Sequence, residues 1–248
     1  MGTTLLAAPV GALPPQASAI DQRDRTEALL RYRDGQQRMA AEDYPGAETA
    51  FRDAVRLDRQ LAAAHYGLGQ VLMATRRYAE AVRAYTACRE AFREFDTFRM
   101  SDQAAAEQRL DEEIRSLQDT IRSLQTGRTT SPVLGQTIGK YEDQMRELQR
   151  RRGRLGDGRP QPTPPGVSLA LGSAYFRTGD LAAAEREYRA ALEVDPGVGE
   201  AWNNLAVVCL LGGRAGEAAD AVKRAEKTGF KVPEALKRDI EARRKAKP

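Results

Sequence analysis

The stretch SLALGSAYFRTGDLAAAEREYRAALEVDP, residues 168–196, decides the fold. A small residue, Gly172, is followed twelve positions on by Ala184, sixteen on by the bulky Tyr188 and nineteen on by Ala191. Three other frames carry the same phrase: Gly35, Ala47, Phe51 and Ala54; Gly69, Ala81, Tyr85 and Cys88; Ala206, Ala218, Val222 and Ala225. Gly35 to Gly69 is 34 residues, and Gly172 to Ala206 is again 34. A fixed period of this length marks an array of units, none of which can bury its apolar face alone. Two helices that cross closely need small residues at the crossing and bulky ones beside it. Tyr44 and Tyr78 stand nine residues past the small position, where a second helix would begin. Gly179-Asp180 and Gly212-Gly213 supply the turn before it, and Asp195-Pro196 closes the third unit because Pro cannot continue a helix. Each unit reads as a helical hairpin.

On these residues the chain resembles the tetratricopeptide repeat (TPR) family. The third and fourth units match it best, through Leu171-Gly172, Tyr175, Gly179, Ala184, Tyr188, Ala191 and Pro196, then Trp202, Leu205, Gly213, Ala218 and Ala225. The first unit departs at Asp34 and Arg38, where the family favours Leu and Tyr, and the second has His65 in the place that Trp202 holds. The resemblance implies an all-α helical-hairpin solenoid of four TPR repeats, two plus two. An antiparallel coiled-coil insertion separates the pairs, and a C-terminal capping helix follows them. The expected organisation is a leader (1–22), repeats one and two (23–93), the inserted hairpin (94–155), a Pro/Gly-rich linker (156–166), repeats three and four (167–231), and the capping helix with a basic tail (232–248).

The insert has its own pattern. Leu110, Ile114, Leu117, Ile121 and Leu124 alternate spacings of four and three, a heptad seam. Thr126-Gly127 through Gly135, with Pro132 inside, breaks it, and the seam resumes at Ile138, Tyr141, Met145 and Leu148. Folded about that break, Leu124 meets Ile138, Ile121 meets Tyr141, Leu117 meets Met145 and Ile114 meets Leu148. Three readings stand for this hairpin: a self-contained projection, a homodimerisation element that forms a four-helix bundle, or a partner-binding arm. The linker 156–165 is long enough to return the chain to the repeats as an extended Pro-rich segment.

Composition narrows the chemistry. Charged residues make up 30% and aromatic ones 6%, which suits Ala-rich helices. With a single His there is no zinc cluster or His-dependent triad to assemble, and no phosphate-binding loop occurs. No catalytic residue, metal or cofactor is therefore expected, and the chain reads as non-enzymatic. Cys88 and Cys209 fall at core positions of non-adjacent repeats and read as buried unpaired thiols. No apolar run reaches the roughly 18 residues of a transmembrane segment. Ala17-Ser18-Ala19 resembles a signal-peptidase site, but no Lys or Arg precedes Arg23, so an exported and a cytoplasmic location both remain open.

The surface expected to bind a partner is the stripe of each first helix that lies opposite its core stripe. It comprises Tyr32, Gln36 and Met39; Tyr66, Gln70 and Met73; Leu169, Ser173 and Phe176; and Asn203, Val207 and Leu210, with Asn204 beside them. By the resemblance, these positions line a concave groove that takes a peptide or helical segment of a protein partner. Rings and thioethers there offer apolar area, and amides can bond a peptide backbone. Members of the family that clamp a C-terminal carboxylate use Lys and Asn along this stripe. Here Tyr32, Gln36, Gly67, Leu169 and Ser173 occupy those places and Asn204 alone fits, which argues against such a clamp. His65 belongs to the core side of its helix. A second reading, a nucleic-acid-associated factor, would use Arg150-Arg151-Arg152 with Arg154 and the C-terminal Lys/Arg cluster. The net charge of only +4 and the lack of interleaved aromatics count against it.

Overall fold

The computed structural model describes residues 22–126, 132–156 and 158–245. The leader through Asp21, the hairpin break at 127–131, Asp157 and the last three residues lie outside the described residues, and with them the signal-peptidase-like site. Among the described residues there are ten helices and no strand. They are α1 (Gln22–Ala40), α2 (Tyr44–Leu57), α3 (Ala62–Ala74), α4 (Tyr78–Thr126), α5 (Pro132–Arg154), α6 (Pro165–Thr178), α7 (Leu181–Val194), α8 (Gly199–Leu211), α9 (Ala215–Lys227) and α10 (Glu234–Lys245). The pairs α1–α2, α3–α4, α6–α7 and α8–α9 pack as hairpins. Neighbouring hairpins stack through α2–α3, α4–α6 and α7–α8, and α10 covers α9 with Ile240 buried.

The recurring small residue works as its spacing implies. The Phe51 ring lies on Gly35 and the Tyr188 ring on Gly172, and a Cβ at either glycine would come within 2.6 or 2.7 Å of the ring. With Tyr85 on Gly69 doing the same, the first three hairpins close by seating the bulky residue of the second helix on the bare backbone of the first, while the fourth has Ala206 and Val222 in these places.

The two halves repeat one another at an offset of 137 residues, down to individual hydrogen bonds. Asp43 caps α2 by accepting from the Gly46 N–H at 3.0 Å, and Asp180 caps α7 by accepting from the Ala183 N–H at 2.9 Å. His65 Nε2 lies 2.9 Å from the Arg59 carbonyl oxygen, and Trp202 Nε1 donates to the equivalent Pro196 carbonyl at 2.9 Å. The imidazole in the second repeat therefore does the job of the indole in the fourth. The halves differ at one turn position. Gly179 and Gly213 take left-handed backbone, with φ of 87° and 73°, where the first half has Glu42 and Arg76 at 59° and 61°. A side chain in that region costs about 1–2 kcal/mol. Arg76→Gly is accordingly expected to raise the unfolding free energy by about 0.5–1 kcal/mol, part of the relief being offset by the freer unfolded chain. Urea titration of the two proteins side by side measures it.

The insertion does not interrupt the stack. α4 contains no Gly or Pro over its 49 residues and runs about 74 Å at 1.5 Å per residue. Its first turns complete the second repeat and its remainder forms the outgoing arm, so residue 94 falls inside a continuous helix. α5 returns along that arm. Ile114, Leu117 and Leu148 form its core, with Leu110, Tyr141 and Met145 packed against them. Ile121 is also buried, while Leu124 and Ile138 are half-buried. The returning linker is strapped to α4. Asp96 accepts from the Gln161 N–H at 2.9 Å, Arg99 donates to the Arg159 carbonyl at 2.8 Å, and Gln103 donates to the Gly156 carbonyl. Arg99 and then the Gln161 N–H hold the buried Asp96 carboxyl below its ordinary range. The strap returns the chain to α6 beside α4, so repeat three stacks directly on repeat two. Leu72, Ala81, Ala84, Tyr85, Leu171 and Ala174 form one core across that junction. Arg89 and Glu187 pair over it at 2.8 Å.

Candidate partner-binding groove

The first helices of three repeats border one cavity. Phe176 on α6, Met73 on α3 and Val207 on α8 come together around an open cavity of about 220 Å³, with Ser173, Arg177, Tyr188 and Asn204 completing the wall. Four residues of the expected stripe, Met73, Ser173, Phe176 and Val207, thus meet at one place with Asn204 beside them, although 134 positions separate the first from the last. Ser173 donates to the Leu169 carbonyl at 3.0 Å, which spends its hydroxyl proton inside its own helix. The Tyr188 hydroxyl lies 3.5 Å from Ser173 Oγ, and burial pushes its pKa upward.

Other expected residues sit away from this cavity. Tyr32 packs its ring against Phe51 at 5.9 Å and accepts a 2.8 Å hydrogen bond from the exposed Gln36. Met39 joins the same small core around Phe51 and Val71. Tyr66 tilts against Tyr85 at 5.4 Å and is half-buried, with its pKa raised by that burial. Gln70 is exposed. Asn203 donates to Asn204 Oδ1 at 3.2 Å, and its own Oδ1 is buried without a hydrogen-bond partner among the described residues. An acceptor in that condition carries a desolvation cost until a donor reaches it.

Charge is distributed very unevenly among the helices: α1 is rich in it and carries ion pairs such as Arg31–Glu27 and Arg38–Asp34, whereas the other first helices are nearly without it. Along α3, α6 and α8 the Lys, Arg, Asp and Glu residues reduce to Arg177 and Glu200. Ion pairs instead gather around α2, α4, α7 and the turn that precedes α9. Arg77 bonds Glu48 at 2.7 Å and Glu80 at 2.6 Å, with Arg52 on Glu48 at 2.6 Å. The second half repeats this set. Arg214 grips Glu185 through both oxygens at 2.8 and 2.5 Å, and Arg189 bonds Glu185 at 2.8 Å and Glu217 at 3.1 Å. Arg214 first, then Arg189, holds the Glu185 carboxyl down at about 2. These networks tie consecutive repeats together. They were readable in principle from the doubled Glu–Arg spacing of 29 residues, Glu48 to Arg77 and Glu185 to Arg214.

Cys209 approaches Glu185 and Glu217, their ligand-type atoms lying within 4.8 Å of one another. Both carboxylates already face guanidinium groups, a poor setting for a cation. Cys88 and Cys209 are buried free thiols, and burial pushes Cys88 up to about 12, far from a reactive thiolate. The basic run at the base of the hairpin is paired as well. Arg150, Arg151 and Arg154 reach Glu147, and Arg152 bonds Asp111 at 2.7 Å. No helix among the described residues is long and apolar enough to cross a membrane.

A sequence profile described as Tetratricopeptide repeat matches residues 32–93 and 169–230, together half of the chain. Among curated proteins, none matches the sequence. Several solved structures are similar. YrrB, a TPR protein with an unusual peptide-binding site, is 16% identical over 92% of this chain and 99% of its own, with a TM-score of 0.30. PilW, a widely conserved type IV pilus biogenesis factor, is 15% identical over 89% and 87%, with a TM-score of 0.42. TTC0263, a thermophilic TPR protein in Thermus thermophilus, is 19% identical over 87% and 98%, with a TM-score of 0.34.

Proposed function

Because the chain belongs to the tetratricopeptide repeat family, whose members generally mediate protein–protein interactions, we propose that it is a non-enzymatic adaptor that binds a peptide or helical segment of a protein partner in its concave groove. The observation that carries this reading is the open cavity where α3, α6 and α8 converge, three helices that carry between them only two charged residues, Arg177 and Glu200. A surface that is apolar at its centre and carries spare amide groups fits a protein segment better than a phosphate backbone. Asn204 of the cavity wall carries an amide of the kind that bonds a peptide backbone. Arg150, Arg151 and Arg154 share Glu147 and Arg152 meets Asp111, which offsets part of the charge that the nucleic-acid alternative would use.

The projecting hairpin is the adaptor's second feature, and self-association belongs to this proposal only in a restricted form. Ile114, Leu117, Ile121 and Leu148 of its heptad seam are buried within one chain while Leu110, Leu124, Ile138, Tyr141 and Met145 are half-buried, so a homodimer would form over that half-buried flank. Replacing Met73 and Phe176 of the cavity wall together by Ala is expected to lower partner capture in a pull-down at least tenfold, with the helical circular dichroism preserved. Full retention of every partner by the double variant would remove the groove from the reading.

A further inference from the structure

The cavity of about 220 Å³ is smaller than the roughly 300–1,000 Å³ of small-molecule sites, and it has the size of one large side chain. Its apolar wall comes from Met73, Phe176 and Val207, and one cation, Arg177, stands in its lining. Arg177 is exposed, lies over the Tyr78 ring with its guanidinium carbon 4.7 Å from the centroid, and donates to the Tyr78 hydroxyl. Tyr78 therefore holds the group in place, and an Arg has five N–H donors to offer. Among the described residues no carboxylate pairs with it. This contrasts with Arg52, Arg77, Arg89, Arg189 and Arg214, all of which meet a Glu on the other helices of the stack. Glu200, the other charge along these three helices, lies in the first turn of α8, whereas Arg177 lies in the last turn of α6. A pre-positioned, unneutralised guanidinium beside an apolar hole selects by charge as well as by shape.

Resting on the groove reading above, we propose that the bound segment places one large apolar side chain in this cavity and an Asp or Glu, within four positions of it, on Arg177. The partner is then an acidic–apolar segment. A basic segment would bring like charge against Arg177 and is rejected.

The probe is a phage-displayed dodecapeptide library fused through its C-termini, so that only side-chain carboxylates are offered. It is panned on the full chain, and the leading synthetic peptide is then titrated by fluorescence anisotropy. Arg177 is exposed, so Arg177→Ala and Arg177→Glu keep the fold, which circular dichroism checks. Enriched peptides are expected to pair a Leu, Met, Phe or Trp with a nearby acid. Arg177→Ala should weaken binding about three- to tenfold, and Arg177→Glu further, with the loss shrinking at high salt. Filling the cavity with Val207→Trp should abolish binding. Peptides lost on Val207→Trp but indifferent to Arg177→Glu, or without enriched acids, overturn the proposal and leave the groove reading standing. Peptides retained by Val207→Trp, or no enrichment at all, overturn both.

Discussion

Tyr188→Ala is expected to lower the unfolding free energy by about 3–5 kcal/mol, the range for emptying a large aromatic position in a core. The ring is 2% exposed and fills the crossing of α7 over Gly172, so no neighbouring side chain at that crossing can collapse into the space. The effect should not be uniform along the molecule. Each repeat in a stack rests on its neighbours, so weakening the third lets the fourth and its cap open with it while the first two keep their own core. Trp202 is the chain's single tryptophan and sits in the fourth repeat, which makes its fluorescence a local reporter. Urea unfolding followed by Trp202 should move to lower denaturant than unfolding followed by circular dichroism. Tyr188→Phe should cost under about 1 kcal/mol, since the hydroxyl contributes only a long 3.5 Å contact to Ser173. Equal losses from Ala and Phe would mean that the hydroxyl and not the ring holds the crossing.

The second large effect lies in the Glu185 network. This carboxylate, with a side chain 18% exposed, is held at about 2 by Arg214 and Arg189, against an ordinary value of 4.5. A carboxyl whose pKa falls on folding contributes stability that is complete above the unfolded value. That contribution is lost as pH drops from about 4.5 towards 2. Allowing for solvent screening, the contribution at neutral pH is on the order of 1–3 kcal/mol. Glu185→Gln should therefore be less stable than the parent by that amount at pH 7, and the difference should vanish near pH 2. A difference that persists undiminished in acid would assign the loss to packing.

The architecture was legible because it rests on local spacing. A small residue, an Ala twelve on and a ring sixteen on are enough to fix which helices cross and where, and the crossings at Gly35 and Gly172 follow that pattern. The continuity of α4 was present in the same way, as 49 residues without a Gly or Pro. The strap was not legible. Asp96, Arg99 and Gln103 bind backbone groups of Gln161, Arg159 and Gly156, and a backbone group leaves no trace in side-chain identity. Glu42 and Arg76 were equally hidden, because a turn that takes Gly in one half tolerates a strained side chain in the other.

The candidate groove was legible in part. The stripe rule brings Met73, Ser173, Phe176 and Val207 to one cavity, but it treats every repeat alike. Tyr32 and Gln36 bond to each other, and Tyr66 leans on Tyr85, through partners that the stripe does not contain. Arg177 lies one residue beyond the stripe. Its meaning depends on Tyr78, 99 positions earlier, which holds it beside the cavity.

The most direct measurement is photo-crosslinking in the organism of origin, with benzoylphenylalanine placed in the full chain at Phe176 inside the cavity, at exposed Arg186 on α7, or at exposed Arg122 on the hairpin. A partner seated in the groove gives a discrete protein adduct from position 176 that disappears with Val207→Trp and is absent from position 186. Adducts from 122 or 186 with none from 176 would place the partner elsewhere and contradict groove binding.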